Sequence, residues 1–173
     1  MIFKSKHFLL RPFKVGDEES LVKNLNNVNV TKNLLRVSYP YLLKHAKRWI
    51  DYNLKLDRSM KRKEMNWVIE INSEVAGSIG FTNISRDKAE LAYWLGERYW
   101  GQGIMVEAIN LLLKYGFRQF KFKKISAEVF SFNKNSKRVL IKTGFKYEGL
   151  LKKESFKKGK YYDHVIFSRG ERD

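Results

Sequence analysis

Hydrophobic and polar positions along the chain switch between two periods. His7 to Phe13 reads as a first strand, ended by Pro12 and Gly16. Asp17 stands where a helix running to about Asn26 needs an N-cap, and Glu18 and Glu19 fill the first turn, where the helix dipole favours acids. Tyr41 to about Leu56 predicts a second helix, with Trp49, Ile50 and Asn53 at helical spacing. The period then drops to two. Asn66 to Ile71, Val75 to Ile84 and Glu90 to Leu95 read as an antiparallel meander, its first turn at Asn72-Ser73-Glu74 and its last strand ended by Gly96.

After Arg98-Tyr99-Trp100-Gly101-Gln102-Gly103 the pattern is helical again. Met105, Ala108, Ile109, Leu112, Gly116 and Phe120 form one buried stripe. Ile125 to Phe132 predicts a strand. Asn133 to Ser136 offers caps for a helix ending near Lys142, stopped by Gly144. Phe145 to Phe156 and Tyr161 to Ser168 predict a closing hairpin. The order predicts a single α/β domain over residues 1–173, with a mixed, mostly antiparallel sheet flanked by helices.

Composition narrows the function classes. The 173 residues carry 35 Lys and Arg against 18 Asp and Glu, a net +17, yet 43% are hydrophobic and 14% aromatic, which excludes a disordered chain. The absence of cysteine excludes disulfides, thiolate metal sites and a cysteine nucleophile. Short basic clusters at Lys61-Arg62-Lys63, Lys121 to Lys124 and Lys152 to Lys160 sit among lysines scattered from Lys4 onward. That scatter describes a generally basic surface; a dedicated nucleic-acid or ribosome-binding module without catalysis is the alternative. No apolar run has secretory or membrane-spanning length, so the expectation is a cytoplasmic protein with no membrane partner. Oligomeric state, monomer or homodimer, is left open.

The junction Arg98-x-x-Gly101-x-Gly103 carries the most chemistry. Glycines at 101 and 103 let the backbone approach a ligand, and the following helix start presents unpaired N–H groups and a positive dipole end. Together they suit a diphosphate, with Arg98 as a charged fork beside it. The other reading is a plain glycine turn. It is no P-loop, because no Gly-Lys-Ser/Thr follows. It is no dinucleotide fingerprint, because Val106 stands where a third glycine belongs.

These residues resemble the acetyl-CoA signature of the GNAT N-acetyltransferases. The resemblance spans the chain and is strongest with the ribosomal-protein (RimJ/RimL-type) branch. Leu10-Arg11-Pro12, Ala89 to Leu95, Tyr99 to Met105, Asn133-x-x-Ser136, Lys142-x-Gly144-Phe145, Glu148-Gly149 and Gly159-Lys160-Tyr161-x-Asp163 match it in order. It implies the GNAT fold and transfer of acetyl from acetyl-CoA to a primary amine by direct attack, without acyl-enzyme and without metal. It also implies that pantetheine lies along Tyr93, Trp94 and Leu95, where two strands splay. The diphosphate would lie on the N–H groups of Trp100, Gly101, Gln102, Gly103 and Ile104, with Arg98 reaching in. Asn133 would bond pantetheine or hold its loop.

Within that resemblance Glu90 is the candidate base, the other reading being a surface acid; Glu148 and Glu70 are lesser candidates. Ser136 is the candidate proton donor to the CoA sulfur, because Leu140 occupies the place where many relatives carry a tyrosine; the other reading is a helix cap. His7, His45 and His164 are expected in surface or packing roles, and Asp163 in ordering the last hairpin. The branch points to the N-terminal α-amine of a protein, a ribosomal protein first. Such an amine, with pKa near ~7.8, is roughly a tenth or more neutral at pH 7, against about 0.04% for a lysine. The alternative acceptor is a small amine, a polyamine or an aminoglycoside, which would want an acidic pocket built from Asp17, Glu18, Glu19, Glu64 and Glu74.

Overall fold

A computed structural model describes residues 1–57, 63–171 and 173; Lys61 and Arg62 of the first basic cluster lie outside the described residues. Strands β1 (Phe3–Lys4), β2 (Leu9–Arg11), β3 (Met65–Ile71), β4 (Glu74–Ser85), β5 (Lys88–Leu95), β6 (Lys124–Phe130), β7 (Lys146–Lys157) and β8 (Lys160–Gly170) form one sheet. Their order is β1-β2-β3-β4-β5-β6-β8-β7. Helices α1 (Glu18–Leu25), α2 (Val28–Thr31), α3 (Leu43–Asp57), α4 (Ile104–Gln119) and α5 (Lys134–Lys142) cover its two faces.

Every strand pair is antiparallel except β5–β6, which is parallel and short. Only Lys88–Lys124, Ala89–Ile125 and Glu90–Ser126 pair there. Beyond Glu90 the strands part, because Ala127 to Phe130 continue on β8 instead. Leu91 to Leu95 stay paired to β4 and keep one edge free. The sheet forks at its centre.

The period-two pattern sorts side chains between the faces. Ala89, Leu91 and Leu95 of β5 join Ile125 and Ala127 of β6 in the core under α4 and α5. Gly116 lets α4 lie close: a Cβ there would meet the Phe81 ring at 2.8 Å. Val68 and Val75 turn the other way and pack with Leu21, Leu25, Ala46 and Ile50 of α1 and α3, with Trp94 beside them.

The predicted strand from His7 to Phe13 is shorter than expected. Ser5 N–H bonds Phe8 O at 3.0 Å, which folds the chain back and makes β1 a strand of its own. The four-residue α2, capped by the Asn27 side chain, is an addition. Asp17 begins α1 without a side-chain cap bond. Its carboxylate instead takes both Arg11 guanidinium nitrogens, at 2.8 and 2.7 Å, and the Lys14 N–H at 3.0 Å. Arg11 also bonds Glu70. Burial alone would lower the Arg11 pKa, but hydrogen bonds to these two acids hold it above its ordinary value. Arg11 and Asp17 are 6% and 3% exposed, so losing Asp17 would leave a buried guanidinium compensated by Glu70 alone and with two N–H groups unmet. Asp17→Ala should therefore cost about 3 kcal/mol, well beyond the ~1 kcal/mol of a lost helix cap, and urea unfolding measures the difference.

Candidate active site

The fork between β5 and β6 gathers the polar groups from both faces. On the α4–α5 face, Tyr93 follows Leu91 in the inward phase of β5. Its hydroxyl lies 2.6 Å from Ser136 Oγ on the first turn of α5. Burial, against the opposing pull of that hydrogen bond, pushes the Tyr93 phenol up to about 12, so it stays protonated at neutral pH.

The helix cap belongs to a different residue than Ser136. Asn133 is the N-cap of α5, and its Oδ1 accepts the Ser136 N–H at 3.0 Å. The Ser136 hydroxyl is thus free of capping and engaged with Tyr93. Leu140 does occupy the tyrosine place, fully buried in the core, but a phenol reaches the serine from the neighbouring strand. The sequence signal was present: the alternation of β5 puts Tyr93 in phase with Ala89, Leu91 and Leu95, facing α5.

At the end of β5 a 3-10 turn, Glu97–Tyr99, leads into the glycine loop. Gly101 and Gly103 have φ of 76° and 78°, the left-handed region, and a Cβ on either would meet nothing within 4 Å. Their requirement is conformational, and the space beside them is open. The first N–H used by α4 is that of Glu107, bonded to Gly103 O at 3.1 Å, so the N–H groups of Ile104 to Val106 point off the helix start. The residues present fit an anionic group there.

The remaining loop residues are positioned by their own contacts. Trp100 Nε1 donates to Leu95 O at 2.8 Å, and Gln102 Nε2 donates to Arg98 O at 2.9 Å, which brace the turn against the strand end. Leu95 and Ile104 are buried. The Arg98 guanidinium bonds Glu74 and lies 4.6 Å over the Tyr99 ring. Lys23 meets the same carboxylate, and hydrogen bonds from Lys23 and Arg98 hold Glu74 below the usual carboxylate range. Arg98 would have to leave Glu74 to reach a diphosphate.

Glu90, Ser126 and Glu128 lie on the opposite, α1–α3 face. Glu90 stands on the last paired rung, opposite Ser126, and its Oε2 accepts the Asn83 amide at 2.7 Å. It makes no contact with Ser136 or Tyr93, from which the sheet separates it. Glu148 is tied to Lys124 at 2.7 Å and to Ser168 at 2.5 Å, and Glu70 to Arg11. Asp163 orders the last hairpin as expected, its Oδ1 accepting the Lys153 N–H at 2.8 Å. His7 bonds Glu107 at 3.1 Å, and His45 Nδ1 accepts the Leu42 N–H at 3.1 Å before α3. His164 has the packing role expected, with polar partners in addition. It is 5% exposed and hydrogen-bonded through both ring nitrogens, to Ser155 and Glu128.

Swapping the two polar residues at the start of α5 separates their roles. Asn133→Ala should lower stability by about 1 kcal/mol through loss of the cap. Ser136→Ala should leave the melting temperature nearly unchanged, and calorimetry of both variants tests the assignment.

Comparison with known proteins identifies the family. Residues 7–146 match the acetyltransferase (GNAT) domain family. The chain is 29% identical over 156 residues to the SPbeta prophage-derived uncharacterized N-acetyltransferase YokL of Bacillus subtilis (strain 168), covering 88% of this chain and 85% of that one. It is 31% identical over 96 residues to the ribosomal protein uS5-alanine N-acetyltransferase of Escherichia coli (strain K12), covering 54% of this chain and 50% of that one. The solved RimL ribosomal L7/L12 α-N-protein acetyltransferase, in complex with coenzyme A, superposes with a TM-score of 0.89 at 22% identity over the full length of both chains, which shows the shared fold. The forked sheet, the glycine loop at the start of α4 and the family match over residues 7–146 together make this chain a member of the GNAT acetyltransferase family, an N-acetyltransferase.

Proposed function

We propose that the enzyme transfers acetyl from acetyl-CoA to the α-amine of a protein N-terminus, a ribosomal protein being the first candidate. The single observation that supports this most is the fork with the Ser136 hydroxyl against Tyr93 at its edge. A bare strand edge suits the pantetheine amides, and the hydroxyl pair suits the sulfur beyond them. Acetyl-CoA supplies the acetyl group as a thioester.

The chain's own residues then have three tasks. The backbone of Trp100 to Ile104 holds the diphosphate at the positive end of α4. Arg98 adds a guanidinium once it exchanges Glu74 for phosphate, and Tyr93, Trp94 and Leu95 line the pantetheine with their backbone. Asn133 fixes Ser136 by capping α5. Ser136 and Tyr93 act on the leaving sulfur. A phenol near 12 is more than three units above a typical thiol at ~8.5, and each unit is ~1.4 kcal/mol, so full proton transfer from Tyr93 is uphill. The pair stabilises the departing thiolate by a hydrogen bond, with Ser136 as the donor. Glu90 accepts the amine's proton from the other face, through water. An α-amine asks little of it, being already partly neutral at pH 7.

The acceptor assignment is supported by the likeness to the uS5-alanine enzyme and by where the acids lie. Asp17 is spent on Arg11, Glu74 on Lys23 and Arg98, and Glu64 on Tyr52. Each of these three carboxylates already has its own hydrogen-bond partner, which weighs against a shared pocket for a polyamine or aminoglycoside.

Acetyl-CoA at 100 times its Kd should raise stability by about 2.7 kcal/mol, read as a thermal shift; no shift at millimolar ligand would remove the enzyme reading in favour of a basic binding module. Thiol release should be seen with an N-terminal peptide beginning with alanine and be weaker with polyamines and aminoglycosides. Glu90→Gln should lower kcat and change the pH–rate profile, and Ser136→Ala should lower kcat with normal melting. An unchanged profile in Glu90→Gln would take Glu90 out of the mechanism.

A further inference from the structure

A three-residue chain crosses the acceptor face of the sheet and is not used by the reaction as described so far. Ser155 Oγ lies 2.7 Å from His164 Nε2, and His164 Nδ1 lies 2.5 Å from Glu128 Oε1. The three residues come from β7, β8 and β6, each one diagonal step from the next: Leu151 pairs with His164, Tyr162 with Ser155, and Ile166 with Glu128. The inner two are buried, Ser155 at 8% and His164 at 5%, while the Glu128 side chain is 31% exposed. Phe130 packs its ring edge-on against the imidazole at 4.5 Å and stacks on Phe132 at 5.1 Å. Water is thus kept from the inner end and admitted at Glu128.

The place of Glu128 is what gives the chain a purpose. Glu90 is the last residue of β5 paired to β6, opposite Ser126. Glu128 is the next residue of β6 on that same face, and it falls within the opened part of the fork. Ser136 and Tyr93 occupy the other face. A thioester reached across the fork would have its sulfur on the Ser136 side and its attacked carbon toward Glu128. The orientation of Glu128 is fixed from behind: with the imidazole neutral, Ser155 O–H donates to Nε2 and Nδ1–H donates to Glu128 Oε1. Both ring nitrogens are satisfied, and Oε2 is left for a ligand.

We propose that Glu128 binds the acceptor amine directly at the mouth of the fork, and that His164 and Ser155 are positioning residues that hold it there. The inference rests on the acetyl-transfer reading above and adds to it the residue that recognises the nucleophile. Glu128 accepts a hydrogen bond from an N–H of the ammonium; Glu90, another carboxylate of this face near the fork, takes one proton, and the lone pair so freed attacks the carbonyl carbon as the thiolate leaves. Lys124 and Glu148 lie further down the face, paired with each other. The arrangement selects for one cationic nitrogen at the fork rather than for a polycation, because among the described residues these are the two acids there with no lysine or arginine partner.

The experiment separates binding from chemistry with steady-state kinetics on an N-terminal peptide beginning with alanine, or on whichever amine of the panel releases thiol. Glu128→Gln should raise the acceptor KM at least tenfold, with kcat changed less than threefold and the acetyl-CoA KM unchanged. His164→Ala should move the acceptor KM in the same direction. His164→Asn, which keeps an N–H for Glu128, should restore most of the loss. Ser155→Ala, a smaller change, covers the case in which the His164 variants unfold, and should raise the acceptor KM several-fold with normal melting. An unchanged acceptor KM in Glu128→Gln overturns the proposal and leaves the transfer reading standing. A fall in kcat at constant KM also overturns it, since Glu128 would then be the proton acceptor. No thiol release from any amine overturns both.

Discussion

Two parallel strands in the middle of the sheet pair for three residues and then separate, and the separation leaves backbone N–H and C=O groups of Leu91 to Leu95 without a ladder on one side. In a protein interior such groups need partners, because an unmet buried amide costs on the order of 1–3 kcal/mol. A closed sheet would supply them from the next strand. Here β6 turns to β8, and the gap is held open by the packing on both sides. Ile125 and Ala127 are drawn into the core under α4, while Val165 and Phe167 hold β8 against the same core. The fork is therefore a stable consequence of how apolar residues are distributed over β6 and β8. Its free edge is a template for a ligand with alternating amides.

The fork also divides the chemistry by parity. Successive residues of a strand face opposite sides. On β5 this sends Tyr93 to α5 and Glu90 to the α1–α3 face; on β6 it sends Ala127 inward and Glu128 outward with Ser126. The leaving group and the nucleophile need different help, a hydrogen-bond donor for one and an acceptor for the other. The division onto opposite faces gives the Ser136–Tyr93 hydroxyl pair and the carboxylates separate hydrogen-bond partners. It also explains why each cluster is tied to a different part of the fold. Asn133 and α5 hold the donor side, and the β7–β8 hairpin holds the acceptor side. That hairpin is anchored in turn by Lys157, whose ammonium donates to Thr31 O at 2.8 Å and Leu34 O at 2.5 Å.

Much of this was legible in the sequence. The long buried stripe of α4 and the alternation of β3 to β5 follow from single-period patterns, and the glycine loop is a local signature. What escaped was side-chain pairing between elements, most of it long-range. Asp17 has the residue type and the place of a cap, and only the return of β2 beside α1 shows that Arg11 claims it. Asn133 and Ser136 are both good capping residues three apart; which one caps depends on whether something else wants the serine hydroxyl, and that something, Tyr93, is 43 residues away. His164 reads as one more residue of an exposed hairpin until β6 is laid beside β8, which brings Glu128 to it. Pairs made by strand neighbours distant in sequence leave no periodic trace.

The net charge of +17 now has a narrower meaning. Several exposed acids are bound locally by cations, Glu74 by Lys23 and Arg98, Glu148 by Lys124, Asp173 by Lys146. Hydrogen bonds from those lysines lower the carboxyl pKa in Glu148 and Asp173 as they do in Glu74. Exposed pairs of this kind contribute little to stability, a median of ~0–1 kcal/mol each. They occupy these acids, and the excess of lysine and arginine leaves the net outer field positive. That field reaches about one Debye length, ~8 Å at physiological salt, and acts on a partner before any contact. Such a field attracts anionic bodies and repels cationic ones. At the fork, on the proposed reading, the task falls to Glu90 and Glu128, which would meet a single cationic nitrogen directly. Under that reading an amine displayed on an acidic or neutral body suits both the outer field and the fork better than a soluble polycation does.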